Sequence, residues 1–282
     1  MTIDASHHEL AELMRGRKFA VLTGAGISVD SGIPDYRGPT TRHLVRNPVK
    51  HDEFVKSAAM RQRYWARASR GYAAVGEAQP NAAHKALAQL EAQGLVSSLI
   101  TQNVDGLHQA AGSQQVIELH GKLREVRCLA CEQRYGREEI QAQIIGDNPG
   151  WIATRSVYAP DGDAEVAAAA QQAFTVPLCR ICGGALMPDV VFFGGSVPKP
   201  RVQRAFDFVE AADGLLVVGS SLTVFSGYRF VRFAERRSMP IAIVSLGPTR
   251  GDKHATLKLD APVGQVLPAL STALLADASA PS

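Results

Sequence analysis

The chain is poor in the features that mark whole classes of protein. Cysteine occurs only four times in 282 residues, too few for a scaffold built on disulfides. Aromatic residues make up 6%, and Lys plus Arg exceed Asp plus Glu by only 30 to 27. The basic residues are scattered apart from short clusters such as Arg61-Gln62-Arg63. That balance leaves no electrostatic footprint for nucleic acid. No apolar run reaches the roughly 18 residues of a membrane span, and the longest, such as GLLVVG at 214–219, are strand-sized. The opening MTIDASHH carries neither a basic segment leading into an apolar one nor an Arg-rich amphipathic pattern, so a cytoplasmic setting is expected. No internal repeat is present. With 46% hydrophobic and 20% charged residues, a folded globular chain with a sizeable core remains.

The pattern along that chain alternates strands and helices. KFAVLT at 18–23 reads as a strand running into the glycine turn Gly24-Ala25-Gly26. From 82 to 93, Ala83, Leu87 and Leu90 recur at helical spacing, with Asn81 placed to cap the start and Gly94 to end it. Runs 95–101, 116–119, 214–219 and 241–246 are brief, apolar and bounded by Gly, Pro or Ser, as buried strands are, and 201–212 and 228–238 read as helices between them. Buried strands alternating with amphipathic helices predict an α/β fold with a parallel sheet covered on both faces. Between about 127 and 189 the pattern breaks, which predicts a smaller inserted module. The main domain is then expected over 1–126 and 190–270, and the Ala- and Ser-rich residues 271–282 read as a flexible tail.

Several segments carry chemistry. A glycine turn after a first strand lets backbone N–H groups approach a pyrophosphate. The third glycine of a dinucleotide fingerprint would fall at position 29, which is Val29, so the standard dehydrogenase pattern is broken. Cys128-x2-Cys131 and Cys179-x2-Cys182 supply four thiolates, the composition of a closed structural zinc site with no position left for a reacting water. TQNVDGLH at 101–108 places amide and carboxylate side chains after a strand, where open α/β sheets take their ligands. His120 ends another strand beside Gly121, which leaves room next to its ring, and is a candidate general base. A lone histidine in such a place more often serves structure than catalysis, and the apolar run VVFFGG at 190–195 reads as core or as an edge to which a peptide adds.

Taken together, GAGIS at 24–28, GIPDYRG at 32–38, TQNVDGLH, ELHG at 118–121, the two CxxC pairs, PDVVFFG at 188–194 and GSSL at 219–222 occur in the order found in sirtuins, the NAD-dependent protein-lysine deacylases. The resemblance spans roughly 15–270. The segments around 61–67, 159–163 and 247–250 and the long gap between CxxC pairs resemble the class II branch. What the resemblance implies is a Rossmann-like NAD-binding domain with a zinc-ribbon module, and NAD and acyl-lysine peptide meeting in the cleft between them.

On that resemblance His120 is the general base. Gly24, Ala25, Gly26 and Ser28 meet the phosphates, and Pro34, Asp35, Tyr36 and Arg37 close over the cofactor. Gln102, Asn103, Val104 and Asp105 face the ribose and carboxamide, while Gly219, Ser220, Ser221, Ser245, Leu246, Gly247 and Val263 flank the adenosine. Val191, Phe192, Phe193 and Gly194 face the peptide. Tyr64-Trp65-Ala66-Arg67 matches the Tyr-x-x-Arg pattern with which some sirtuins hold an acidic acyl group, a task that suits an Arg fork. The sequence departs from the family at Ser245, where many sirtuins have Asn, and at Gly195, where an acidic residue is common. Mono-ADP-ribosyl transfer from the same cleft and a non-catalytic module that binds NAD, zinc and a protein partner are the competing expectations.

Overall fold

In the computed structural model, which describes residues 3–36, 48–151, 164 and 166–278, α1 (Ile3–Met14) precedes β1 (Phe19–Thr23), and a 3-10 turn follows from Ala25 to Ser31. Helices α2 (His51–Lys56), α3 (Ala58–Glu77) and α4 (Ala82–Ala92) lead to β2 (Val96–Thr101), and the short α5 (Leu107–Ala110) to β3 (Val116–Glu118). Strands β4 (Gly121–Cys128) and β5 (Arg134–Gly136), helices α6 (Arg137–Asp147) and α7 (Ala168–Gln172) and strand β6 (Leu186–Val190) come next. The chain then runs through α8 (Lys199–Glu210), β7 (Gly214–Val218), α9 (Phe225–Arg236), β8 (Ile241–Val244), β9 (Leu257–Leu259) and α10 (Val263–Ala278).

Six strands form one sheet in the order β3-β2-β1-β7-β8-β9, every pair parallel. This is the doubly wound order of the Rossmann fold, in which the chain leaves β1 to one side and later returns to the other. Strand alternation sorts the core into two layers. Phe19 and Val21 face α1, α4 and α10 with Leu10, Leu87 and Leu267, whereas Ala20 and Leu22 face α8 and α9 with Val209, Phe230 and Val231. Asn81 caps α4 as expected, its side chain accepting from the amides of Ala83 and His84.

The expectation of a flexible tail from 271 is corrected: α10 continues to Ala278, and Ser271 and Leu274 are 2% and 5% exposed. The Ala- and Leu-rich composition that suggests fraying is also that of a strong helix former. Only the last four residues of that segment lie outside the described ones.

The second lobe is a three-stranded antiparallel sheet, β5-β4-β6. Its expected start at 127 falls inside β4, whose first residue, Gly121, already pairs with Val190. Helices α2 and α3 also belong to its core, since Phe54 and Trp65 pack with Val126, Ile140 and Leu186. Trp65 donates its indole N–H to the Leu186 carbonyl at 3.1 Å. Arg137, 1% exposed, stacks its guanidinium 4.2 Å from the Tyr72 ring and donates to Gln141, whose amide donates to the Ser69 carbonyl at 2.8 Å and ties α6 to α3. Burial lowers its pKa only to about 10, so it stays charged at neutral pH.

Two fully buried histidines brace the strand ends. His108 meets Thr23 Oγ1 at 2.9 Å and stacks edge-on against His84 at 4.8 Å, while both ring nitrogens of His84 lack a partner among the described residues. Burial holds His84 down to about 4 and His108 well below its ordinary 6.5. Above about 6.5 both folded and unfolded chains carry these rings neutral, so they contribute no pH dependence there. As pH falls from about 6.5 toward about 4 the unfolded chain takes the protons first, and stability drops by about 1.4 kcal/mol per pH unit for each histidine. Urea titrations across this window are expected to give a flatter slope for His84→Leu than for the parent; equal slopes would contradict the assignment.

Candidate active site

The site grows out of the C-terminal edge of the parallel sheet, where β1, β2 and β7 end side by side. Gly24 and Gly26 lie directly against Gly219. A Cβ on Gly26 would stand 2.8 Å from the Gly219 carbonyl oxygen, and one on Gly219, at φ +59°, would stand 2.5 Å from the Ile27 nitrogen. Gly26 N–H donates to that same carbonyl at 2.8 Å. These three glycines are therefore required by loop-on-loop contact, and they leave a smooth backbone floor without side chains. The absent third glycine at position 29 is explained, because a 3-10 turn and not an α-helix follows the loop.

Over this floor opens a cleft of about 1200 Å³ bounded by both lobes. Of the residues expected at the cofactor, Gly24, Ala25, Gly26, Ser28, Asp35 and Tyr36 line it from the first loop, and Gln102, Asn103, Val104 and Asp105 from the loop after β2. Gly219, Ser220 and Ser221, then Ser245, Leu246 and Gly247, and finally Val263 complete the far side. Pro34 is not among the lining residues, and Arg37 lies outside the described residues. A hydrogen-bonded cluster fixes the centre. Asn103 donates to Ser28 Oγ at 3.1 Å and to the Gly24 carbonyl at 3.2 Å, and Ser28 donates to Asp105 Oδ2 at 2.8 Å. Burial pushes the Asp105 carboxyl up, against the bonds it accepts from the Leu107 amide and Ser28.

His120 stands at the junction of the lobes and lines the cleft. Its Nδ1 lies 2.9 Å from the Gln102 carbonyl, which can only accept, so Nδ1 carries the proton. Nε2 is left bare and accepts from Ser226 Oγ at 2.7 Å. Burial, with the nearby Arg201 and Arg229 charges, holds its pKa down to about 4, so the ring is neutral and basic at Nε2 across physiological pH. Gln102 is itself held by Ser220 Oγ, which donates to Oε1 at 2.6 Å, and Gly227 leaves the space its amide occupies. The room expected beside the ring at Gly121 serves another purpose: at φ +91° a Cβ there would lie 2.0 Å from the Asp189 carbonyl, so this glycine admits the β6 backbone.

On the small-lobe side Val191, Phe192, Phe193 and Gly194 all line the cleft. Phe192 packs on Tyr64 at 5.1 Å and on Phe54 at 5.0 Å, while Phe193 remains 39% exposed. Val191 N–H donates to the His120 carbonyl at 2.7 Å, which couples this wall to the base. Tyr64 lines the cleft, but its expected companion does not: Arg67 is absent from the lining, and its Nε donates to the Ala164 carbonyl at 2.9 Å. Helical spacing of three residues brings the pair near each other without turning both toward one opening. Ser226 and Arg229, both on α9 and both lining the cleft, are missed by sequence reading. The one hint is two polar residues three apart at the start of a helix that follows a strand-end loop.

The four cysteines converge outside the cleft, with their Sγ atoms within 4.8 Å of one another. Cys128 and Cys182 are 3.5 Å apart and Cys131 and Cys179 3.6 Å. Sulfurs at ~2.3 Å from a tetrahedral zinc ion stand about 3.8 Å apart, so the donor set fits. Amides of Ala130 and Gly184 point at Cys128 and Cys182 at 3.3 and 3.4 Å, as N–H groups do toward metal-bound thiolates. Among the described residues no helix is long and apolar enough to cross a membrane.

The Sir2 family model matches residues 24–226. A Xanthomonas axonopodis NAD-dependent protein deacetylase is 52% identical over 262 residues, covering 93% of this chain and 89% of that protein. The Drosophila melanogaster NAD-dependent protein deacylase Sirt4 is 48% identical, covering 89% and 81% respectively. A solved Sir2 complex with a p53 peptide and NAD+ superposes with a TM-score of 0.75 at 33% identity, covering 96% of this chain and 97% of that one. The family model, the curated relatives and the solved structure agree over most of the chain, and the chain belongs to their family: it is a Sir2-family protein, a sirtuin.

Proposed function

We propose that this sirtuin is an NAD-dependent protein-lysine deacylase of the class II branch, with His120 as its base. The observation that carries the reading is the fixed tautomer of His120, whose bare Nε2 faces a cleft shared by a glycine floor and an apolar peptide wall. NAD fits the residues present, because Gly24, Gly26 and Gly219 form a cradle that any Cβ would fill. When bound, NAD supplies a ribose carbon whose nicotinamide is already a good leaving group and which accepts the acyl oxygen of the modified lysine.

The chain's own residues then have separable tasks. Gly24, Ala25, Gly26 and Ser28 present backbone and hydroxyl donors to the pyrophosphate. Asn103 and Asp105 hold the ribose and carboxamide end, and Asp35 and Tyr36 close over it. Ser245, Leu246, Gly247 and Val263 flank the adenosine. Val191, Phe192, Phe193 and Gly194 exclude water and guide the acyl-lysine, so the reaction gains mainly from orientation. His120 accepts a proton from a ribose hydroxyl at Nε2, while the Gln102 carbonyl stabilises the imidazolium through Nδ1–H. Cys128, Cys131, Cys179 and Cys182 would hold a structural zinc ion that supports the small lobe.

A panel of acyl-lysine peptides incubated with NAD tests the reading by mass spectrometry of both products. One nicotinamide and one acylated ADP-ribose are expected for each lysine freed. ADP-ribose attached to the peptide would replace this reading by ADP-ribosyl transfer, and intact NAD would leave only a binding module.

A further inference from the structure

The wall of the cleft next to His120 carries positive charge that the fold leaves unneutralised. Arg229 lies three residues beyond Ser226 on α9 and so on the same side of the helix. It lines the cleft, and its Nε is buried without a hydrogen-bond partner among the described residues. Its guanidinium sits 5.3 Å from the Phe225 ring, a contact that orients the group and supplies no acceptor. Lys199 at the start of α8 lines the same cleft. Neither residue has an ion pair among the described residues. The acidic lining residues, Asp30, Asp35 and Asp105, belong to the first loop and the loop after β2, and Asp105 is already engaged by Ser28 and Leu107. Ser226, one turn before Arg229 on the same side of α9, donates to His120 Nε2 at 2.7 Å, which places Arg229 beside the reacting end of the cleft.

A buried guanidinium donor without an acceptor is costly to maintain, and its planar fork matches a carboxylate. We propose that Arg229, assisted by Lys199, reads a carboxylate on the acyl-lysine substrate, making a negatively charged substrate the preferred one. The inference rests on the deacylase reading of the same cleft. The carboxylate has two possible sources, the end of a dicarboxylic acyl chain and an acidic side chain beside the modified lysine. Arg67, which the Tyr-x-x-Arg pattern selects for this task, is directed to the Ala164 carbonyl and does not line the cleft.

Three peptides of equal length separate the sources: acetyl-lysine with neutral neighbours, glutaryl-lysine with neutral neighbours, and acetyl-lysine beside aspartate. For each, kcat/KM is read from nicotinamide release, and Kd from fluorescence anisotropy without NAD. The parent protein is expected to favour a charged peptide over the neutral one. In Arg229→Gln that ratio falls about 10- to 100-fold, the worth of a charge-assisted hydrogen bond, and Arg229→Lys keeps part of it. The peptide whose advantage disappears identifies the source. Thermal melts check that the variants fold, and if the Gln variant does not, the ratio in the Lys variant decides. An unchanged ratio, or a parent that prefers the neutral peptide, overturns the proposal. Turnover of acetyl-lysine with no charge dependence removes Arg229 from this role and leaves the deacylase reading standing. Charge-dependent binding that Arg229→Gln abolishes, with no turnover of any peptide, supports the role of Arg229 and removes the deacylase reading.

Discussion

His120→Tyr is expected to leave a folded protein whose turnover falls by about 10²- to 10⁴-fold, the usual contribution of a positioned base. Both neighbours of the ring explain why no other residue replaces it. The Gln102 carbonyl accepts from Nδ1 and Ser226 donates to Nε2, so the basic nitrogen is held between two fixed partners. A phenol in that place offers no nitrogen lone pair, and its ordinary pKa near 10 makes it a poor proton acceptor at neutral pH. The ring lies half-buried where it lines the cleft, so its loss should move the melting temperature little. Deacylation retained near the parental rate would remove His120 from the role of base.

Removing the metal is expected to be as damaging by a different route. A strong chelator should unfold the three-stranded lobe and stop turnover, although none of the four cysteines lines the cleft. Structural zinc sites contribute about 10–16 kcal/mol at neutral pH, comparable to the 5–15 kcal/mol that holds a whole domain together. The two knuckles are far apart in sequence and meet at the cysteines, along the pairing of β4 with β6 and at Tyr135, whose hydroxyl lies 3.1 Å from Cys179 Sγ, so the metal sits at the centre of the contacts that join them. Its core is also the core of α2 and α3, so its loss should carry away the Phe192 wall and Tyr64. Near-ultraviolet circular dichroism should change in step with activity as metal is withdrawn. Full activity in metal-free protein would contradict the structural assignment.

The strands and the glycine floor were legible because their signals are local. FAVLT and GLLVV are continuous apolar runs, as strands buried on two faces must be, and they pair in register. His120 was legible as a strand-end histidine, and the cysteines by their paired spacing. What escaped depends on chain crossings. Ser226 lies 106 residues from the base it touches, and nothing in its neighbourhood announces the contact. The same holds for Gly227, whose missing Cβ makes room for an amide from β2's loop. Arg67 shows the converse: a four-residue pattern implies a shared direction, yet the Arg67 Nε donates to the Ala164 carbonyl and only Tyr64 lines the cleft. The lobe boundary moved for a similar reason, because the partners of the cysteine segment include helices from 51–77 that sequence order places in the other domain.

Nitrogen-15 NMR of the histidine side chains, with His120 assigned by comparison with His120→Tyr, tests the physical basis of the base directly. At neutral pH the His120 ring should appear as the neutral tautomer protonated at Nδ1, with Nε2 bare, and should remain so until the pH approaches about 4. A ring protonated at Nε2, or an imidazolium at neutral pH, would leave the cleft without the proton acceptor on which the proposed reaction depends.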